Sequence, residues 1–228
     1  EMSTESKIHE ETKVLFLTAL ATTGVGIYDE FTVTTGLPVL QHDAETKQKL
    51  NNLLWGHHLV TLNGGLKRTI RVEQLVIVPE GAATFYNELL DDEGKIRRHE
   101  LLGYDSLMVI DVGSRTVNYV ELVGGRYRDR NSGTLPYGAK ELDLRDSAEA
   151  RRAFARRIVG DLSERLPDLP RVEKFLLTGG GTAKIGLFLQ QMLKNAEVVA
   201  DPITANVRGF RKLGMQYDRQ QAVRQVQG

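Results

Sequence analysis

Residues 107–123 read LMVIDVGSRTVNYVELV. The apolar run Leu107–Ile110 ends in Asp111, and Gly113, Ser114, Arg115 and Thr116 follow before a second apolar stretch begins. A tight turn between two strands exposes several backbone N–H groups. A glycine at Gly113 allows the left-handed or extended geometry that aims those groups at one point. Ser114 and Thr116 add hydroxyl donors, so the turn suits a phosphate. A lone carboxylate at the strand tip, Asp111, suits the Mg²⁺ that accompanies phosphates, held directly or through its waters. Asp, Gly and Ser are also ordinary turn formers, and spacing alone leaves the two readings level.

A second candidate is Leu177–Lys184, LTGGGTAK, with three glycines between an apolar run and a helical pattern. Gly179, Gly180 and Gly181 let a ligand lie against bare backbone, and a helix beginning at Thr182 offers unpaired N–H groups with partial positive charge. The spacing is not that of a P-loop. Nor is it a dinucleotide fingerprint, because Lys184 stands where the third glycine would be. A tight connection explains the run equally simply, but three consecutive glycines cost conformational entropy, which favours the ligand reading. The third candidate, Glu80, follows the apolar run Leu75–Val78 and could orient or deprotonate a water. Taken alone, an acid in the first turn of a helix is the simpler reading. His57 and His58 have no neighbours of metal-ligand type and read as surface or turn residues. Arg126, Arg128 and Arg130 alternate, as on a solvated strand face.

These residues need elements to position them. KVLFLTALATTG (13–24) suits a buried helix stopped by glycine. The β-branched stretch 31–38 suits a strand. Asp43 is placed to cap a helix carrying Leu50, Leu53, Leu54 and Trp55 on one stripe. Residues 58–80 read as two strands joined at Asn63-Gly64-Gly65, with Leu75–Val78 covered on both sides. A helix is expected over 81–90, strands over 107–111 and 116–123, and a turn at Gly124-Gly125. The spacing predicts one long helix over 138–171, opened by a capping box of Asp146 and Glu149. Phe154, Ile158, Leu162 and Leu166 form its stripe, and Pro167 and Pro170 end it. A strand over 172–178, a helix from Thr182 with Ile185, Leu189 and Leu193 inward, and a short strand at 198–200 complete the pattern. The chain after Met215 is polar and reads as a flexible tail.

Bulk composition excludes several classes. The 228 residues are enough for a real core. Thirty basic against thirty acidic residues leave no net charge, so neither nonspecific nucleic-acid binding nor attraction to an anionic membrane is expected. Without cysteine there is no disulfide and no thiolate metal site. No apolar run is long enough for a bilayer span, no signal peptide is seen, and the cytoplasm is the default location.

Taken together and in order, FTVTTGLPV, TLNGGLKRTIRVEQLVIVPEGAA, MVIDVGSRTVNYVEL, FLLTGGGTAKI and DPITANVRGFRKLG resemble the actin-like ATPases of plasmid segregation, the ParM/StbA type. These lie within the superfamily of actin, heat-shock chaperones and sugar kinases. The resemblance implies an α/β actin-like ATPase (ribonuclease H-like) fold. It also implies Mg²⁺ and ATP, with GTP as the alternative nucleotide, and a filament of the protein itself that moves plasmid DNA through a DNA-binding adaptor. By that resemblance Asp111–Thr116 is the second phosphate-binding hairpin. Gly179–Gly181, with Thr182 and Lys184, would be the adenosine-binding turn, and Glu80 the residue that positions the hydrolytic water.

The pattern departs from the family in two places. The chain opens EMSTESKIHEE, not on methionine, and no first phosphate hairpin precedes Lys13. Either the chain is a fragment, or half of the phosphate clamp is lacking. About one helix separates Gly124-Gly125 from the strand at 172–178, as in the short AlfA-type segregation actins, which implies a reduced outer subdomain. The expected division is then 1–105, remainder of the first lobe; 106–215, second lobe; and 216–228, tail. Two other readings stay open: a non-catalytic scaffold that keeps the fold for protein contacts, and a small-molecule kinase of the same superfamily.

Overall fold

The computed structural model describes residues 8–143 and 146–227, which form two compact units. Glu1–Leu37 and Gln41–Val78 belong to the first, and Pro38–Leu40 and Pro79–Gly228 to the second. The sequence placed the boundary between lobes at 105/106. The compact units part at 78/79, because the helix after Glu80 packs on the second unit's sheet.

In the first unit, α1 (Glu10–Thr23) and α2 (Ala44–Leu54) accompany a three-stranded sheet of order β1 (Tyr28–Leu37), β3 (Lys67–Pro79), β2 (Gly56–Thr61). β2 and β3 are antiparallel, and Gly64 and Gly65 turn them with positive φ, as the Asn-Gly-Gly signal predicts. Asp43 caps α2, its carboxylate accepting from Thr46 N at 2.9 Å.

Three expectations fail here. Only Ala21 of α1 is fully buried, and Val14 and Leu15 are exposed, so the apolar stretch is not a core helix. Trp55 leaves the α2 stripe because the helix ends at Leu54, and it is 61% exposed. Leu75–Val78 is half-buried, not covered on both sides. β3 there runs past the end of β2, whose pairing stops at Gly56↔Val72.

The second unit is a five-stranded sheet of order β6 (Arg126–Leu135), β5 (Val117–Val123), β4 (Leu107–Val112), β7 (Lys174–Thr178), β8 (Ala196–Val198). The first three strands form the antiparallel meander expected from their turns; β4, β7 and β8 run parallel. β4 is apolar from Leu107 to Ile110 because both its faces are covered there. Met108, Ile110 and Val112 face α4 (Ala148–Arg165) and α5 (Thr182–Met192). Leu107 and Val109 face α3 (Ala82–Leu89) and the start of α6 (Ala205–Gln227). This alternation is the two-residue period of a strand.

The expected long helix over 138–171 is three pieces. A 3₁₀ turn covers Ala139–Leu142, α4 covers Ala148–Arg165, and a second 3₁₀ turn covers Leu169–Arg171. The stripe Phe154, Ile158, Leu162 and Leu166 is buried as expected. The cap is Ser147, accepting from Ala150 N at 3.1 Å, and not Asp146, which pairs with Arg151 and Lys184. Ser147→Ala should therefore cost about 1 kcal/mol in urea denaturation. An equal loss from Asp146→Ala with none from Ser147→Ala would contradict this assignment. The expected tail from 216 is the continuation of α6, helical to Gln227.

Candidate functional site

Asp111 pairs with Asn118 on one side and Thr178 on the other. β4 and β7 are parallel neighbours in that register, so their C-terminal ends leave the sheet side by side. The turns that follow, 113–116 and 179–181, must then meet at the C-terminal end of these two strands. This is where ligands collect in open sheets of this kind.

The first turn is closed by Gly113 N donating to Thr116 O at 2.9 Å. Its carbonyls are held from below. Ala139 N donates to Gly113 O, and Lys140 N to Ser114 O, both at 2.9 Å. Among the described residues, the amides of Ser114 and Arg115 donate to no backbone acceptor. Ser114 and Arg115 are exposed and Thr116 is half-buried. This leaves two amides without backbone acceptors on a turn whose carbonyls are already engaged, the makings of an anion nest.

The second turn packs onto the first. Gly181 N donates to Val112 O at 2.9 Å, and Gly179 N to Pro202 O at 2.9 Å. Gly179 has φ +89, and a Cβ there would collide with Asp111 Oδ1 and lie 2.5 Å from Val112 O. A Cβ on Gly181 would lie 2.5 Å from Val112 Cγ1 and 2.7 Å from Ala139 Cβ. What these two glycines admit is the chain's own β4. Only Gly180 faces open space, with nothing within 4 Å of an added Cβ.

Thr182 is buried, its hydroxyl donating to Thr178 O. Lys184 Nζ lies 2.9 Å from Asp143 and 3.3 Å from Asp146, so its charge is already met by two carboxylates. The expectation that Thr182 and Lys184 contact a ligand thus finds both side chains engaged within the protein.

Glu80 is half-buried between Pro79 and Gly81. Gly81 has φ +91, and a Cβ on it would lie 3.8 Å from Asp111 Cβ, so Glu80 stands beside Asp111 at the start of α3. Burial pushes the Asp111 carboxyl up to about 6. A hydrogen bond from Asn206 opposes that rise, and the charge of Glu80 adds to it.

Three further residues surround Asp111 that spacing did not single out. Asn206 Nδ2 donates to Asp111 Oδ2 at 2.7 Å. Thr84 Oγ1 lies 3.1 Å from Asn206 Oδ1 and 3.2 Å from Thr178 Oγ1, and Thr178 Oγ1 donates to Pro202 O at 3.0 Å. Asn206 lies within DPITANVRG, a stretch that carried the resemblance but offered no chemical spacing of its own.

The remaining candidates lie elsewhere. His57 and His58 are in β2, with a His58 ring nitrogen 2.8 Å from Leu54 O. Arg126, Arg128 and Arg130 are exposed on β6. Among the described residues no three His, Cys, Asp or Glu side chains gather as a protein-only metal cage. Asp111 nevertheless fits Mg²⁺, which can be held through one carboxylate and completes its shell with water and phosphate oxygens. No helix among the described residues is long and apolar enough to cross a membrane.

With this geometry in place, comparisons identify the fold. Residues 1–82 match the family described as actin like proteins N terminal domain. The structure resembles the apo ParM protein of psk41 with a TM-score of 0.77 at 18% identity, over 92% of this chain and 71% of that one. It resembles the archaeal actin homologue Ta0583 in complex with ADP with a TM-score of 0.75 at 19% identity, over 94% and 79%. It resembles the filament of AlfA from the B. subtilis plasmid pLS32 with a TM-score of 0.65 at 18% identity, over 90% and 70%. No curated protein matches the sequence. The first 82 residues match that actin-like domain, and the chain has the fold shared by the ParM and AlfA structures.

Proposed function

We propose that this chain binds Mg²⁺-ATP at this end of the second unit's sheet and hydrolyses it as the subunit of a filament that segregates plasmid DNA. One observation carries the reading: Asp111, the amides of Ser114 and Arg115 and the open backbone at Gly180 lie at one end of one sheet, where β4 and β7 finish side by side, with Glu80 next to Asp111. The amides and hydroxyls of Gly113–Thr116 would hold phosphate oxygens, with Arg115 adding charge. Asp111 would hold the metal, and the backbone at Gly179–Gly181 would take the adenosine. Glu80 would orient a water and accept its proton. Bound Mg²⁺ would supply charge neutralisation, and phosphoryl transfer asks for little beyond that and positioning.

Support for the polymer comes from relatives: AlfA with this fold is described as a filament, and Ta0583 has been seen with ADP. A DNA-binding adaptor and a cytoplasmic location complete the proposal. The test is sedimentation of the protein with and without Mg²⁺-ATP, beside fluorescence binding of a labelled ATP. Nucleotide-dependent pelleting is expected, and Glu80→Ala should keep nucleotide binding while losing phosphate release by about 100-fold or more. Pelleting that ignores nucleotide, with no binding of the labelled ATP, would favour the scaffold reading instead.

A further inference from the structure

We infer that Asn206 and Thr84 are positioning residues that hold the Asp111 carboxylate and the Glu80 backbone in one fixed arrangement. The inference rests on the nucleotide reading above and assigns to that site two residues outside it. Asn206 lies in the first turns of α6 and Thr84 in the first turn of α3, three residues after Gly81. Thr178 is the last residue of β7, directly before Gly179, and Asp111 is near the end of β4. Four elements that share no local sequence are therefore tied by one run of side-chain hydrogen bonds.

The donor pattern has one direction at its site end. The Asn206 amide donates to Asp111 Oδ2, which leaves Asn206 Oδ1 as the acceptor. Thr84 Oγ1, fully buried, sits within bonding distance of that oxygen and of Thr178 Oγ1. Thr178 has already given its proton to Pro202 O, so it can only accept from Thr84. The Thr84 proton is thus shared between two acceptors, and both hold α3 in place.

The consequence for the acids is specific. With Oδ2 engaged by Asn206, Asp111 presents Oδ1, the oxygen that lies against Gly179. With α3 anchored through Thr84, Glu80 is kept next to a second carboxylate that repels it. Hydrogen-bonded partners behind a metal-binding carboxylate fix its direction, and their loss commonly weakens the metal 10- to 100-fold.

The experiment uses the 228-residue chain and titrates Mg²⁺ against a fluorescent ADP, where no turnover occurs. Asn206→Ala and Thr84→Val should each shift the Mg²⁺ dependence of ADP binding upward by about tenfold. Binding of the same ADP in EDTA should stay unchanged, and Thr84→Ser should restore the wild-type Mg²⁺ curve. A merely structural role would weaken both curves together and would gain nothing from serine. Should Asn206→Ala not fold, the Thr84→Val and Thr84→Ser pair decides alone. An unshifted Mg²⁺ curve in folded Thr84→Val overturns the inference while the nucleotide reading stands. Failure of the wild type to bind ADP in any condition removes the nucleotide reading itself.

Discussion

Gly179→Ala is expected to destabilise the second unit severely. The position has φ +89, which costs a residue with a Cβ about 1–3 kcal/mol. The added carbon would also strike Asp111 Oδ1, on a carboxylate held by Asn206, and sit 2.5 Å from the backbone oxygen of Val112, which cannot turn away. Overpacking of this kind adds about 1–3 kcal/mol. The two together come to about 4 kcal/mol, close to a thousandfold in the folding equilibrium. The control is Gly180→Ala, one residue on, where an added Cβ meets nothing within 4 Å. Its folding stability should be nearly unchanged. Guanidinium denaturation of the three proteins reads both, and equal midpoints for Gly179→Ala and Gly180→Ala would show that the two turns are not packed as described.

Asp111→Asn is expected to stabilise the protein while abolishing its affinity for Mg²⁺-nucleotide. The carboxyl is raised to about 6 by burial, from about 3.9 in an unfolded chain. An acid raised in this way binds its proton more tightly when folded. Below pH 4 both states are protonated and the carboxyl costs nothing. As pH rises from 4 to 6 the unfolded state ionises first, and stability falls. Above 6 the full penalty is present, roughly 3 kcal/mol for two units of pKa. Asparagine has no charge to bury and keeps an oxygen for the Asn206 amide.

Melting temperature in EDTA should therefore be higher for Asp111→Asn at pH 7.5, with the gap closing towards pH 4. In the same variant Mg²⁺-dependent nucleotide binding should fall more than 100-fold, beyond what loss of an outer partner causes. A variant that melts lower than wild type at pH 7.5 would mean that Asp111 is held by a stabilising partner and not strained by burial. Such an exchange of stability for function is common where a site needs a charge in a dry place.

The sequence read best where the signal is local. Asn63-Gly64-Gly65 has the two positive φ angles that a tight hairpin requires, and β2 and β3 pair around it. Asp43 caps α2 through a bond that spans only three residues. The stripe Phe154, Ile158, Leu162 is buried because 3.6-residue periodicity puts it on one face. It read less well where one residue type serves two ends. Asp146 and Ser147 are adjacent and both good caps, and the structure uses the serine because Asp146 is drawn to Arg151 and Lys184, the latter from a helix 38 residues on. Leu75–Val78 looked fully buried because β-branched apolar runs do not record how far a neighbouring strand extends.

By itself the sequence determined that Asp111 would lie near the end of a strand, that Gly113–Thr116 would turn, and that three glycines would join a strand to a helix. Those are short-range choices of backbone geometry, decided by side-chain bulk and by the absence of it. Only the tertiary structure decided that the two turns touch, since that depends on β4 and β7 being parallel neighbours with Asp111 level with Thr178. It alone decided that Gly179 and Gly181 make room for β4, leaving Gly180 open, and that Asn206, 95 residues away along the chain, would hold the carboxylate. The reason is physical: hydrogen bonds and close packing between elements act over a few ångströms of space, and the order of residues along a chain does not contain those distances until the sheet has formed.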